Sequence, residues 1–82
     1  MEKKKERTII VNGRPKVVDT KDLSFAEVIA LAFDSVPIGQ NVMFTVTYRR
    51  GHGHKPEGTL IEGQSVKVKE RMIFNVTATD KS

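Results

Sequence analysis

Few side chains in this sequence are suited to chemistry at a metal. His52 and His54 stand two residues apart in a basic, glycine-rich segment that spans residues 50–58. A metal site needs three or four nitrogen, sulfur or oxygen ligands. The chain has no cysteine, and no cluster of carboxylates near the histidines completes such a set. An exposed turn is therefore favoured over a metal site.

The sequence also lacks the pattern of an enzyme. No acid, base and nucleophile cluster together, and Ser24 and Ser65 have structural interpretations as a helix cap and the start of a strand. The glycines of residues 50–58 do not follow a phosphate-binding pattern, and no helix is predicted directly after them. We therefore expect a protein that is not an enzyme and has no resident cofactor.

Length and composition limit the class of protein. Eighty-two residues form one domain with one modest core. Without cysteine, disulfides and thiolate zinc sites are excluded. No apolar run approaches the roughly 20 residues that span a bilayer, and no signal-peptide core follows Met1. The expectation is a cytoplasmic protein without membrane partners.

The net charge of +4 raises the question of nucleic-acid binding. Charges of both signs are interspersed, and the chain has one Tyr, four Phe and no Trp. This pattern favours a solubilising surface over a nucleic-acid groove. The alternative site would comprise Arg49, Arg50, His52, His54 and Lys55, and its binding would depend steeply on salt.

The elements that must position any functional side chain are organised around one helix. Ser24 and Glu27 have the spacing of a capping box, and Leu23 could pack against Val28 as a hydrophobic staple. Apolar residues then recur at helical spacing up to Phe33. A short helix this apolar is not stable alone in water, so it must lie on a sheet.

Strand-like segments flank this helix on both sides. Residues 7–11 and 16–19 are joined through Asn12-Gly13, a strong hairpin signal. Residues 42–49 alternate, with Phe44, Val46 and Tyr48 predicted to face the helix. Residues 59–63 are predicted to be an apolar anchor and a turn, residues 64–69 an edge strand rich in lysine, and residues 72–78 the last strand. The loop 36–41 is expected to carry apolar anchors.

This order, β-β-α-β-β-β, predicts an α+β fold. The first and last strands are the most apolar, so we expect them side by side and parallel at the centre of a mixed four- to five-stranded sheet. With the helix across one face, this arrangement is the β-grasp. The predicted organisation is a disordered charged tail over residues 1–6, the domain over 7–78 and a flexible tail over 79–82.

Several segments together resemble one family, the bacterial multiubiquitin domain. The resemblance lies in residues 8–13 (TIIVNG), the Ser24-Phe25 cap before residues 28–33, and residues 44–51 (FTVTYRRG), 55–58 (KPEG), 63–68 (GQSVKV) and 72–77 (MIFNVT). It covers nearly everything from Arg7 to Ser82. The resemblance implies a ubiquitin-like β-grasp, either as a single-domain member or as one unit of a tandem array.

The function implied by the resemblance is that of a protein modifier. Its C-terminal carboxylate would be adenylated by an activating enzyme, passed to a conjugating enzyme and joined to a target protein. The tail residues Asp80, Lys81 and Ser82 depart from the Gly-Gly with which ubiquitin-like modifiers usually end. Three alternatives are open: the partner enzyme accepts a bulkier tail, a processing peptidase trims it first, or this copy is never conjugated.

A docking module that binds a protein partner without being conjugated is the second hypothesis. The corresponding sheet face is the recognition surface of ubiquitin-like proteins generally, although a solvated sheet face without any partner looks the same in sequence. The candidate partner-binding residues are Met43, Thr45, Thr47, Ile73, Asn75 and Thr77, with Arg49 and Arg50 beside them. Loss of the tail should abolish a modifier's function and spare that of a docking module.

Overall fold

A β-hairpin opens the described chain, which in this computed structural model comprises residues 5–33, 35–54 and 56–80. Strand β1 spans Arg7–Val11 and β2 spans Arg14–Val18. Asn12 and Gly13 connect them with φ angles of 52° and 81°, the left-handed conformation that a tight hairpin turn requires. The predicted turn is confirmed, and β2 begins at Arg14 rather than at the predicted Lys16.

The helix is positioned by its N-terminal cap. A short strand, β3 (Asp22–Ser24), leads directly into α1 (Phe25–Ala32). The Ser24 hydroxyl accepts from the Glu27 amide at 3.2 Å, and the Glu27 carboxylate accepts from the Ser24 amide at 2.9 Å. This is the predicted capping box. Leu23 and Val28 are both buried in the same hydrophobic cluster, as the predicted staple requires.

Four more strands complete the fold: β4 (Val42–Arg49), β5 (Gly58–Leu60), β6 (Ser65–Lys67) and β7 (Ile73–Asp80). The main sheet has five strands in the order β2-β1-β7-β4-β5, while β3 and β6 form a separate two-stranded sheet. Strands β1 and β7 are parallel neighbours at the centre, and the other pairs are antiparallel. The predicted α+β β-grasp is confirmed.

The strand order differs from the prediction in two short elements. The predicted order lacked β3, whose Leu23 and Ser24 were predicted as the hydrophobic staple and the helix cap, and β5, which was predicted as an apolar anchor and a turn. The predicted edge strand, β6, does not belong to the main sheet, because it pairs with β3. Alternation in a sequence indicates a strand and its faces, but it does not identify the neighbouring strand.

The core lies between α1 and one face of the main sheet. Val46 and Phe74, on neighbouring central strands, are fully buried, and Phe44 and Tyr48 pack against the same cluster. Strand β2 has two adjacent valines that are both suited to a core by residue type, but Val17 is 61% exposed, while Val18 is buried. The register of the β1–β2 pairing explains this difference. Buried Ile9 is paired with Lys16 and half-buried Thr8 with Val17, and paired residues share a face.

The predicted domain boundaries shift slightly at the C-terminal end. Strand β7 extends to Asp80, which is paired with Val42, so Thr79 and Asp80 belong to the sheet rather than to a tail. Lys5 and Glu6 are in no helix or strand. The rest of the predicted N-terminal tail, residues 1–4, and the rest of the C-terminal tail, Lys81 and Ser82, lie outside the described residues. Within the described chain, no helix is long and apolar enough to cross a membrane.

Candidate functional site

The main sheet presents one face away from the helix, here called the outer face. Its centre is formed by two strands whose side chains alternate between core and surface. On β4, Met43 and Thr45 are exposed and Thr47 is half-buried; on β7, Asn75 and Thr77 are exposed and Ile73 is half-buried. The intervening residues are in the core or pack against it, so the alternation places these six side chains on the outer face.

The register brings these candidate residues together in two facing rows. Met43 is paired with Thr79, Thr45 with Thr77, Thr47 with Asn75, and Arg49 with Ile73. Directly paired residues in an antiparallel sheet have Cβ atoms about 4.5–5.5 Å apart. The predicted partner-binding residues of β4 and β7 therefore form one continuous surface, which is mainly polar with Met43 and Ile73 at its two ends.

Sequence reasoning missed the part of the outer face that β1 and β2 contribute. Ile10 is paired with Ile73 across the parallel β1–β7 ladder, and Thr8 is paired with the exposed Val17. The outer face thus continues across the hairpin and gains further apolar area. The signal was present in β1, where Ile9 and Val11 alternate with Thr8 and Ile10.

A basic depression of about 580 Å³ adjoins the end of the outer face where β4 ends and β7 begins. It is lined by Arg49, Arg50, Lys69 and Arg71 together with Glu57 and Glu70, and by Gly51 and Pro56. Arg50 and Arg71 both adopt left-handed backbone conformations, with φ of 62° and 67°. The two carboxylates lower the positive potential that the four cations create, so this depression attracts a phosphate backbone less strongly.

The glycine-rich loop is closed by a backbone hydrogen bond within it and is joined to the body by a side-chain contact. The Gly51 amide donates to the Pro56 carbonyl at 2.7 Å, and a ring nitrogen of His52, Nε2, lies 2.9 Å from the Val68 carbonyl oxygen. Because a carbonyl only accepts, Nε2 carries the proton in this contact. His54 is exposed, Lys55 lies outside the described residues, and the described part of the chain holds no group of three or more potential metal ligands.

The α1–β4 loop adds apolar surface near the end of β7. The sequence predicted apolar anchors here, but Ile38 is 90% exposed. The Val42 amide lies 3.4 Å from the Gly39 carbonyl oxygen, and Val42 is itself paired with Asp80. Ile38 therefore lies within a few residues of the point where β7 ends, rather than in the core.

Of the candidate conjugation residues, Asp80 lies at this end of the sheet. Asp80 is the last residue of β7 and is exposed, and Lys81 and Ser82 lie outside the described residues. Strand β4 pairs with β7 up to Asp80, whereas β1 pairs with Ile73 and Phe74 at the start of β7. The last strand is thus held on both sides at its start and on one side, by β4, at its end.

Comparison with known proteins gives one family. The family model described as Multiubiquitin matches residues 7–80, a range that begins with β1 and ends with β7. No curated protein and no solved structure matches the chain.

Proposed function

This chain belongs to the multiubiquitin family, and from that premise we propose that it is a ubiquitin-like protein modifier. In this role its C-terminal carboxylate is activated by an ATP-dependent enzyme, transferred to a conjugating enzyme and joined to a target protein. The observation that carries the proposal is the family match over the whole described domain, from the first strand to the last.

The steps of this reaction do not require catalytic side chains on the modifier itself. The terminal carboxylate attacks the α-phosphate of ATP, which releases pyrophosphate and leaves an acyl adenylate. A nucleophile on the conjugating enzyme then displaces AMP, and a nucleophile on the target displaces the conjugating enzyme. The modifier supplies the carboxylate and a body that its partners recognise.

Two features of the body support this role. The last strand is paired with β4 up to Asp80, so recognition of the body fixes the position at which the strand ends. Of the exposed apolar side chains, Met43 is on the residue paired with Thr79, and Ile38 precedes Val42, the partner of Asp80, in the chain. A partner that contacts them would hold the modifier near the segment on which it acts.

The residues that follow β7 bear on how activation proceeds. Gly-Gly suits a narrow enzyme channel because it has no side chains, whereas Lys81 and Ser82 follow Asp80 here, and Asp80 is still paired in β7. If this segment carries the activated carboxylate, the activating enzyme accepts bulkier residues close to the sheet, or a processing peptidase acts first. The third case is a copy that is not conjugated.

A non-covalent docking module is the second candidate function. It is favoured by the outer face, where paired residues of β4 and β7 form a surface with apolar side chains at both ends. Such a module would bind a protein partner through the outer face and would not need a free terminal carboxylate. The family and the fold are the same under both proposals.

Two matched variants separate these functions. The first removes residues 81–82 and leaves the Val42–Asp80 pair in place, so the sheet keeps its register. The second replaces Thr45 and Thr77, which face each other on the outer face, with arginine. Because both positions are exposed, each substitution should change the free energy of unfolding by less than about 0.5 kcal/mol.

Both variants are assayed for adduct formation with the activating and conjugating enzymes and for non-covalent binding to the same enzymes. A modifier forms an adduct in the full chain. If Ser82 is the acyl donor, the truncated variant loses this adduct while its body still binds, and if the tail is trimmed first, the adduct persists. A docking module keeps all of its binding in the truncated variant, forms no adduct in any variant and loses binding in Thr45→Arg/Thr77→Arg.

A further inference from the structure

A groove runs between the edge strand β2 and helix α1, on the side of the molecule opposite β5. One end of it has a volume of about 490 Å³. Its apolar lining includes Val18, Leu23 and Leu31, and its carboxylates are Glu6, Asp19 and Glu27. Among the described residues, no lysine or arginine lines this end of the groove, so its described lining is negatively charged.

The other end of the same groove has the opposite charge. A second hollow of about 260 Å³ is lined by Arg14 and Lys16 together with Leu31, Ala32 and Phe33. Leu31 lines both hollows, so they are neighbours along one side of α1. The result is an apolar groove that is basic beside the start of β2 and acidic beside its end.

The free edge of β2 can hold an extended chain. In the main sheet, β2 has β1 as a neighbour on one side and no described strand on the other. Val11 and Arg14 close a two-residue hairpin, and every second residue of β2 after Arg14 therefore directs its backbone N–H and C=O groups away from β1. The two residues concerned are Pro15 and Val17. Pro15 lacks an N–H, whereas Val17 offers both a donor and an acceptor.

We propose that this groove binds an extended peptide segment of a partner protein, which adds to β2 as an antiparallel strand. Antiparallel addition places the C-terminal end of the peptide beside Arg14 and Lys16, and its N-terminal end beside Glu6 and Asp19. Charge complementarity then selects a segment with basic residues first, apolar residues in the middle and acidic residues last. This inference does not depend on the proposed modifier function.

Strand β2 itself carries this pattern, since Arg14 and Lys16 precede Val17, Val18 and Asp19. A second copy of the chain is therefore the competing occupant. Symmetric pairing of two β2 strands about Val17 would place each Pro15 opposite the other copy's Asp19. Because proline has no N–H, two interstrand hydrogen bonds would then be missing. Only one is missing when a partner strand without proline pairs with β2, which favours the partner segment.

The test titrates the ¹⁵N-labelled full chain with two blocked synthetic peptides. One is Lys-Lys-Ile-Thr-Val-Thr-Glu-Glu, and the other has the lysines and glutamates exchanged. We expect amide shift changes at Val17, Leu23 and Leu31 with the first peptide. The exchanged peptide should bind at least about tenfold more weakly, since a difference of about 1.4 kcal/mol between matched and mismatched charges gives that factor.

A charge-reversed protein provides the matched comparison. Glu6→Lys combined with Asp19→Lys changes two exposed residues at the acidic end and should shift the preference toward the exchanged peptide. Glu62→Lys makes the same change of charge at an exposed residue that lines neither hollow, and it should leave both affinities unchanged. The capping residue Glu27 is left intact, because its loss would also weaken the helix.

Several results would overturn the proposal. These are equal affinity for the two peptides, shift changes confined to the outer face, no binding at peptide concentrations near 1 mM, and a preference that is unchanged in the charge-reversed variant. Dimerisation of the free chain in sedimentation equilibrium that is abolished by Glu6→Lys/Asp19→Lys would instead assign the groove to a second copy.

Discussion

The side-chain amide of Asn12 forms two hydrogen bonds with the backbone of Val76, 64 residues further along the chain. Its Nδ2 donates to the Val76 carbonyl at 3.1 Å, and its Oδ1 accepts from the Val76 amide at 2.8 Å. The Ile10 and Asn12 amides donate to the Met72 and Phe74 carbonyls. Where β1 turns away at Gly13, the Asn12 side chain thus replaces the next pair of the ladder.

The first prediction concerns this side chain. Asn12→Gly keeps the left-handed conformation at no steric cost and removes both hydrogen bonds to Val76. We expect the free energy of unfolding to fall by about 1–3 kcal/mol, since two backbone groups of a half-buried contact lose their partner. Urea denaturation followed by circular dichroism measures it.

Asn75→Ala is the control for Asn12, because Asn75 is exposed on the neighbouring stretch of β7. It should change the free energy of unfolding by less than about 0.5 kcal/mol. Equal effects of the two substitutions would show that the Asn12–Val76 pair does not hold the hairpin to the last strand.

The second prediction tests which of the two valines of β2 faces the core. Val18→Ala removes a buried side chain and should cost about 2 kcal/mol through lost burial and the cavity left behind. Val17→Ala removes the same atoms from an exposed position and should cost less than about 1 kcal/mol. Thermal unfolding of the two variants side by side measures the difference, and a larger loss for Val17→Ala would contradict the register of the hairpin.

The third prediction concerns the start of the helix. Ser24→Ala removes the hydroxyl that accepts from the Glu27 amide and should lower stability by about 1 kcal/mol. Ser65→Ala is the matched control, because Ser65 is exposed and is paired with Ser24 across the small sheet. Chemical denaturation of both variants checks this, and an unchanged midpoint for Ser24→Ala would argue against the capping box.

The fourth prediction concerns the glycine-rich loop. A Cβ atom at Gly51 would lie 2.9 Å from the Pro56 carbonyl oxygen and 3.2 Å from the Met72 side chain. Gly51→Ala must therefore displace backbone, and we expect a loss of about 1–3 kcal/mol. Hydrogen exchange should also show faster exchange of the residue 51 amide, which donates to Pro56.

A matched substitution is offered by Gly58, where the obstacle is the end of a side chain. A Cβ atom there would lie 2.9 Å from the Tyr48 hydroxyl oxygen. Gly58→Ala should thus be less destabilising than Gly51→Ala, because a side-chain end moves more easily than backbone. The opposite order would show that the Pro56 carbonyl is free to move.

Those parts of the fold that depend on neighbouring residues could be predicted from the sequence. Asn12-Gly13 specifies its turn through left-handed conformations, and Ser24 and Glu27 specify the helix start through two short hydrogen bonds. The outer face followed from the alternation of β4 and β7. Each of these features is determined by residues that are close together in the chain, so the local sequence is enough to predict it.

Features that depend on distant partners were missed. The three-residue strand β3 has no β pattern of its own and exists because Asp22–Ser24 pairs with Ser65–Lys67. Val17 and Val18 are both suited to a core, and only pairing with β1 decides which is buried. The groove beside β2 combines residues from Glu6 to Phe33, whose proximity follows from the helix position rather than from any motif.

The most direct test of the modifier proposal is an intact-mass measurement. The purified chain is incubated with ATP, magnesium and candidate activating and conjugating enzymes from its source organism, and a reaction without ATP is the control. The proposal predicts an ATP-dependent adduct on the conjugating enzyme, joined through the residue at the modifier's C-terminus, and fragmentation identifies whether that residue is Ser82 or one exposed by trimming. Unchanged masses of both proteins, while they still co-elute, would contradict the modifier function and favour the docking module.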